Sequence, residues 1–255
     1  MKLTDTHSHL YLNAFDDDLE SVLKRSVDAG VTRILLPAID WISLDQMEKL
    51  HHKEIEFHKM MGIHPCEVDS SRLDEEDRLM EVCNSDEFAG VGETGLDYYW
   101  STDFIEQQKE SLHVHCQVAK AVNKPIVLHN REATDDLLDI IEQEQDGSLT
   151  GVWHCFTGSQ EEGERALDLG LHLGVGGVAT FKNAGVGAVV AKMPLDRLIL
   201  ETDAPYLSPS PKRGKRNEPS FMRYTAEKLA DLKEISREEI AKQTTANALD
   251  LFKLS

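Results

Sequence analysis

The sequence predicts an α/β chain folded as a (β/α)8, or TIM, barrel with an extra C-terminal helix. Three observations predict it. Eight short apolar runs alternate with longer segments of helical period along the 255 residues. The candidate strand ends fall at 7, 37, 64, 93, 129, 154, 176 and 203, about 28 residues apart, which is the length of one βα unit. Six of the eight ends carry a histidine or a carboxylate, and barrels of this type gather their chemistry at the carboxyl ends of the strands. An open doubly wound sheet is the alternative topology for the same alternation.

The elements follow in order. The first run, 3–7 (LTDTH), is followed by Asp16-Asp17-Asp18, acids that suit the positive end of a helix. Helical period then runs over 19–29 until Gly30 stops it. Runs at 31–37 (VTRILLP), 57–64 and 88–93 (FAGVGE) supply strands two to four, and 125–129 (PIVLH) and 151–156 (GVWHCF) supply five and six. Ser159 and Glu162 have capping-box spacing ahead of a helix over 160–169, which Gly170 ends. Runs at 171–176 (LHLGVG) and 197–203 (RLILETD) complete the eight. Ser236 and Glu239 repeat the capping device ahead of a helix over 237–253. No break in composition divides the chain, so one domain over 1–255 is expected.

Charge excludes some functions. The chain has 46 acidic and 27 basic residues, a net charge of -19 and a pI near 4.9. Bulk attraction to DNA or to an anionic membrane is therefore excluded, because phosphate affinity needs positive potential. A metal or a local basic patch must supply it. Cys66, Cys83, Cys116 and Cys155 include no C-x-x-C pair, so reduced thiols are expected. No leader-like apolar stretch and no 18-residue apolar run is present, so a cytoplasmic chain without membrane contact is expected, and a monomer is the expected state.

The ionisable strand ends are His7, with His9 two residues on, then His64, Glu93, His129, His154, Glu201 and Asp203. In extended chain, side chains two apart point the same way, so His7 and His9 share a face, as do Glu201 and Asp203. Imidazole with carboxylate suits zinc, manganese, iron or cobalt; magnesium alone prefers more oxygen. The other histidines, 51, 52, 58, 113, 115 and 172, read as surface or packing residues. The loop 207–220 is irregular and carries Lys212, Arg213, Lys215 and Arg216.

D-x-H-x-H (5–9), G-x-H-P (62–65), G-E-x-G-L-D (92–97), the strand-end His129, H-C-F-T-G (154–158), E-T-D-A-P-Y-L (201–207) and a K-R-x-x-x-N-E-P segment ending at Pro219 occur in this order. Together they resemble the TatD family of metal-dependent deoxyribonucleases, in the metallo-dependent hydrolase superfamily. The resemblance implies a barrel with two divalent ions (magnesium, manganese or zinc). His7, His9 and Asp203 would hold one, His129 and His154 the other, and Glu93 would bridge them. Asp203 would serve as general base or only as ligand. His64 would hydrogen-bond the scissile phosphate or a water. Glu201 would either orient a ligand or hold a third ion. Arg131, Lys212, Arg213, Lys215 and Arg216 are the expected phosphate contacts, Asn217 and Glu218 would shape the loop or contact the substrate end, and Tyr98, Tyr99 and Trp100 would stack on a base or pack beneath their loop.

The implied activity is phosphodiester hydrolysis of DNA. One local basic rim neutralises few phosphates, which favours a 3′ to 5′ exonuclease on single-stranded or frayed ends. The alternative is a small-molecule hydrolase of the amidohydrolase, lactonase or phosphotriesterase type, since fold does not fix substrate. A non-catalytic binding protein is disfavoured, because buried charges are costly to keep without a purpose.

Overall fold

The computed structural model describes residues 2–69 and 76–254. Eight strands form one sheet: β1 (Leu3–Asp5), β2 (Val31–Pro37), β3 (Glu56–Met61), β4 (Phe88–Asp97), β5 (Ile126–Arg131), β6 (Gly151–Trp153), β7 (Leu171–Val175) and β8 (Leu198–Leu200). They lie in sequence order, and every adjacent pair is parallel. The sheet closes between β8 and β1. Thr6 N–H donates to Leu200 O at 3.1 Å, Asp203 N–H to His7 O at 2.8 Å and His9 N–H to Ala204 O at 2.7 Å. The expected barrel is the observed one.

Helices α1 (Leu19–Asp28), α2 (Ile42–Met47), α3 (Glu76–Cys83), α4 (Ile105–Val122), α5 (Thr134–Glu144), α6 (Gln160–Asp168) and α7 (Val186–Lys192) follow the first seven strands. Two more, α8 (Met222–Lys233) and α9 (Arg237–Leu251), follow β8. Ser159 accepts from Glu162 N–H at 3.2 Å while Glu162 accepts from Ser159 N–H at 2.6 Å, completing the capping box of α6. Ser236 accepts from Glu239 N–H at 3.1 Å at the start of α9. No described helix is long and apolar enough to cross a membrane.

Alternation along the strands sorts apolar residues between two cores. Ile34 and Leu36, Ile126 and Leu128, Leu198 and Leu200 face the helices. The residues between them, Leu35, Val127 and Ile199, face the barrel interior, where Met60 and Val152 join them. Leu251 and Phe252, from the end of α9, complete this inner cluster. Asn247 of α9 donates to Leu195 O and Leu198 O at 2.8 and 2.7 Å, which seats the helix beside the start of β8. Each such side chain contributes roughly 1.5–3 kcal/mol by leaving water.

Several strands end earlier than the apolar runs. β1 stops at Asp5, β3 at Met61, β6 at Trp153 and β8 at Leu200, whereas β4 runs past Glu93 to Asp97 and β5 past His129 to Arg131. The endings of β6 and β8 have a physical cause. Cys155 (φ 47°) and Asp203 (φ 57°) take left-handed backbone, which breaks the ladder and turns side chains over the barrel mouth.

Candidate metal centre

A cavity of about 630 Å³ opens at the carboxyl ends of the strands, lined by His9, His64, Glu93, His129, His154 and Asp203 among others. His7 and His9 turn their Nε2 atoms toward one another, 3.2 Å apart. Glu93 Oε2 lies 3.1 and 3.5 Å from these nitrogens, and Asp203 Oδ1 lies 3.9 and 3.5 Å away. The other oxygen of Glu93, Oε1, lies 3.0 Å from His129 Nδ1, 3.2 Å from His154 Nε2 and 3.6 Å from His64 Nε2. Glu93 thus offers one oxygen to each of two groups of donors, the arrangement a bridging carboxylate needs.

Three sets of ligand-type atoms lie within 4.8 Å of one another: His7, His9 and Asp203; His64, Glu93 and His129; His7, His154 and Glu201. The first set is the clearest fit to a cation. Its two imidazole nitrogens and one carboxylate oxygen, with Glu93 Oε2 3.1 and 3.5 Å from those nitrogens, lie close enough for one divalent ion to bind them together.

Neighbouring groups select which nitrogen each imidazole presents, and these tautomers are assigned from the hydrogen-bond network. Tyr11 donates its hydroxyl proton to Pro37 O at 2.8 Å, so at 2.9 Å it accepts from His9 Nδ1 and leaves Nε2 as ligand. Asp97 Oδ2 takes the Nε2 proton of His129 at 3.0 Å, leaving Nδ1 toward Glu93. Glu201 Oε1 lies 3.3 Å behind His154 Nδ1 and accepts from Cys155 N–H at 2.5 Å. This position orients His154. His64 differs from the others. Its Nδ1 accepts from Cys66 N–H at 3.1 Å, so its Nε2 carries the proton and donates.

Backbone supports hold these groups. Asp5, fully buried, accepts from Thr202 N–H at 2.9 Å and Thr202 Oγ1 at 2.6 Å, joining the segments that carry His7 and Asp203. Burial raises the Asp5 carboxyl to about 8 despite those bonds. His115 accepts from Ile63 N–H at 3.0 Å and so fixes the backbone before His64, a packing role as expected. Gly95 has φ +139°, and a Cβ there would sit 2.0 Å from the His129 carbonyl oxygen. Only glycine lets β4 pass this close to β5.

The electrostatics favour bound positive charge. Burial pushes Glu93 up, but the imidazoles of His7, His154 and His64 outweigh it and hold the carboxyl well below its usual range. Burial pushes His154 down, but Glu93 and Glu201 hold it well above its own. Burial, with the charge of His129 beside it, lowers His64 to about 3, so it is neutral near pH 7.

The structure brings together His7, His9, His64, Glu93, His129, His154 and Asp203, and it places Glu201 immediately behind His154. It does not bring the basic segment to the cavity. Lys212 lies over the rings of Phe221 and Tyr224 at 5.1 and 5.8 Å, and Arg213 over Phe181 at 3.9 Å. Arg216 donates to Ala14 O at 2.5 Å and to Asp18 at 2.9 Å. Lys215 is absent from the lining as well. Lys212, Arg213 and Arg216 thus meet rings and an aspartate outside the cavity lining. Asn217, expected either to shape the loop or to contact the substrate end, is fully buried and spends its amide on Thr202 O and Tyr206 O, both at 2.7 Å. It shapes the loop around Asp203, the first of those alternatives. Of the expected phosphate contacts, Arg131 lines the cavity.

Two supporting groups lay outside the expected site. Asp97 falls four residues after Glu93 on one strand face, and Tyr11 two after His9. The rule that paired His7 with His9 points to Asp97, but Tyr11 lies in a turn, where that rule does not hold.

The family model for TatD related DNase matches residues 4–253. The chain is 40% identical over 256 residues to an uncharacterized metal-dependent hydrolase, YabD, of Bacillus subtilis, covering 99% of this chain and 100% of that protein. It is 30% identical over 257 residues to a protein of Pantoea ananatis named 3'-5' ssDNA/RNA exonuclease TatD, covering 98% and 99%. The crystal structure of YJJV, a TatD homologue from Escherichia coli K12, superposes with a TM-score of 0.88 at 30% identity, covering 99% of this chain and 98% of that one.

Proposed function

The chain belongs to the family of TatD-related DNases and is a metal-dependent hydrolase, and from that premise we propose that it hydrolyses phosphodiester bonds as a 3′ to 5′ exonuclease on single-stranded or frayed DNA. The observation that carries the reading is Glu93, with one carboxylate oxygen facing His7 and His9 and the other facing His129 and His154. The name of the Pantoea ananatis relative supports the substrate class.

His7, His9 and Asp203 would hold one divalent ion and His129 and His154 a second, with Glu93 placed to offer an oxygen to each group. Such ions supply Lewis acidity and a water of lowered pKa. The chain's own residues do the rest. Asp203, whose side chain is 13% exposed, faces the cavity and receives the proton of the attacking water. His64, neutral and protonated on Nε2, donates to a phosphoryl oxygen as charge develops there. Tyr11, Asp97 and Glu201 keep the imidazoles in the tautomers this arrangement needs.

The test is a 5′-labelled linear single-stranded oligonucleotide incubated with metal-loaded protein, with and without EDTA, beside His129→Ala. The expected result is a ladder shortening from the 3′ end, abolished by EDTA and reduced on the order of 100-fold or more by the substitution, since even outer partners of metal ligands cost 10–100-fold. An oligonucleotide left intact with magnesium, manganese and zinc each supplied overturns the reading and favours the small-molecule hydrolase.

A further inference from the structure

Tyr99 and Trp100 are among the few exposed large hydrophobic side chains of the described residues, at 50% and 68%. Their neighbour Tyr98 shows what packing alone looks like at this loop: it is partly buried, with its hydroxyl donating to Asp136 at 2.7 Å. The two exposed rings are held in place by the site. The backbone N–H groups of Tyr99 and Trp100 both donate to Asp97 Oδ1, at 3.0 and 3.1 Å. The other oxygen of that carboxylate holds His129 at 3.0 Å. One side chain therefore positions both the rings and a metal-ligating imidazole.

Arg131 completes the platform. Its Cζ lies 3.5 Å from the centre of the Tyr99 ring and 5.2 Å from that of Trp100, whose rings meet edge to face. In a chain of net charge -19, this guanidinium has no carboxylate partner among the described residues, although Glu67, Glu93, Asp97 and Asp203 line the same cavity. A guanidinium stacked on a ring keeps its in-plane N–H donors for a ligand, and the fork matches a phosphate. Arg131 stands two strand residues beyond His129, about 7 Å along the chain, so it addresses a different part of the substrate from the ligand cluster.

We propose that Arg131, Tyr99 and Trp100 form a nucleotide subsite beside the metal centre, in which Arg131 receives the phosphate next to the scissile one and Trp100 stacks on an unpaired base. The proposal rests on the nuclease reading and deepens it. A base on Trp100 has left its duplex stack, so the subsite itself selects single-stranded or frayed ends.

The experiment compares two substrates of the metal-loaded protein: a linear oligothymidylate, and methyl p-nitrophenyl phosphate, a diester with neither base nor second phosphate. The expected result for Trp100→Ala is a fall of about tenfold or more in the ratio of kcat/KM on the oligonucleotide to kcat/KM on the diester, carried mainly by KM. Trp100→Phe restores most of the ratio. In EDTA, anisotropy of the labelled oligonucleotide reports binding alone, and there Arg131→Met flattens the plot of log Kd against log salt by about 0.7. A wild type that cleaves both substrates, with the ratio unchanged in Trp100→Ala, overturns the subsite and leaves the nuclease reading standing. A wild type that cleaves the diester and leaves the oligonucleotide intact overturns the nuclease reading, and the subsite with it.

Discussion

His9 can present Nε2 to a cation because Tyr11 has already given its own proton to Pro37 O and has only a lone pair left for His9 Nδ1. Replacing that hydroxyl removes the constraint without opening a large cavity. Tyr11→Phe should therefore weaken metal binding about 10–100-fold with little change in circular dichroism, measured by competition with a fluorescent chelator. Wild-type affinity in the variant would mean that His9 needs no orienting partner. The cluster of histidines and carboxylates itself was legible in the sequence, because titratable groups stand at six strand ends where a barrel gathers its chemistry. Their partners were less so. Asp5 owes its role to Thr202, nearly two hundred positions away in the chain, and no local pattern reports such a contact.

At the scale of elements, the eight strands and the capped helices α6 and α9 were readable from periodicity and from Ser–x–x–Glu spacing. Strand ends were not. Asp203 and Cys155 take left-handed backbone, and neither residue type announces it. The loop after β8 is harder to read for a related reason: four cations in five residues suggest a phosphate grip, while Lys212 and Arg213 lie over rings and Arg216 pairs with Asp18. That loop is anchored by Glu218, which accepts from Arg25 Nη2 at 2.6 Å and from Ser220. Burial pushes Glu218 up, but Arg25 and Ser220 outweigh it and hold the carboxyl below 4.5. A carboxyl depressed in the folded state adds stability above its unfolded pKa and loses it as pH falls through the folded value. Arg25→Met should therefore cost about 1.5 kcal/mol at pH 7, the low end for a charged hydrogen bond because Arg25 is half-exposed. Urea unfolding should show the gap from wild type closing as pH falls below about 4.5. A gap constant with pH would place the cost elsewhere.

Across the whole molecule, one end of the barrel carries charge and the other is sealed with hydrocarbon. Phe252, 3% exposed, shares a buried cluster with Leu35, Met60, Val127, Val152 and Ile199, which come from five different strands. Phe252→Ala should cost about 3–5 kcal/mol, visible as a lower urea midpoint with an unchanged slope. A loss under about 1 kcal/mol would mean the strands close without the plug. The seal also sets a timetable. The residues that stopper the barrel follow every strand in the chain, so a ribosome must translate past Phe252 before the inner core can dry. Until then the nascent polypeptide holds a basket of β-branched and thioether side chains open to water, and it depends on whatever shields it at the exit tunnel.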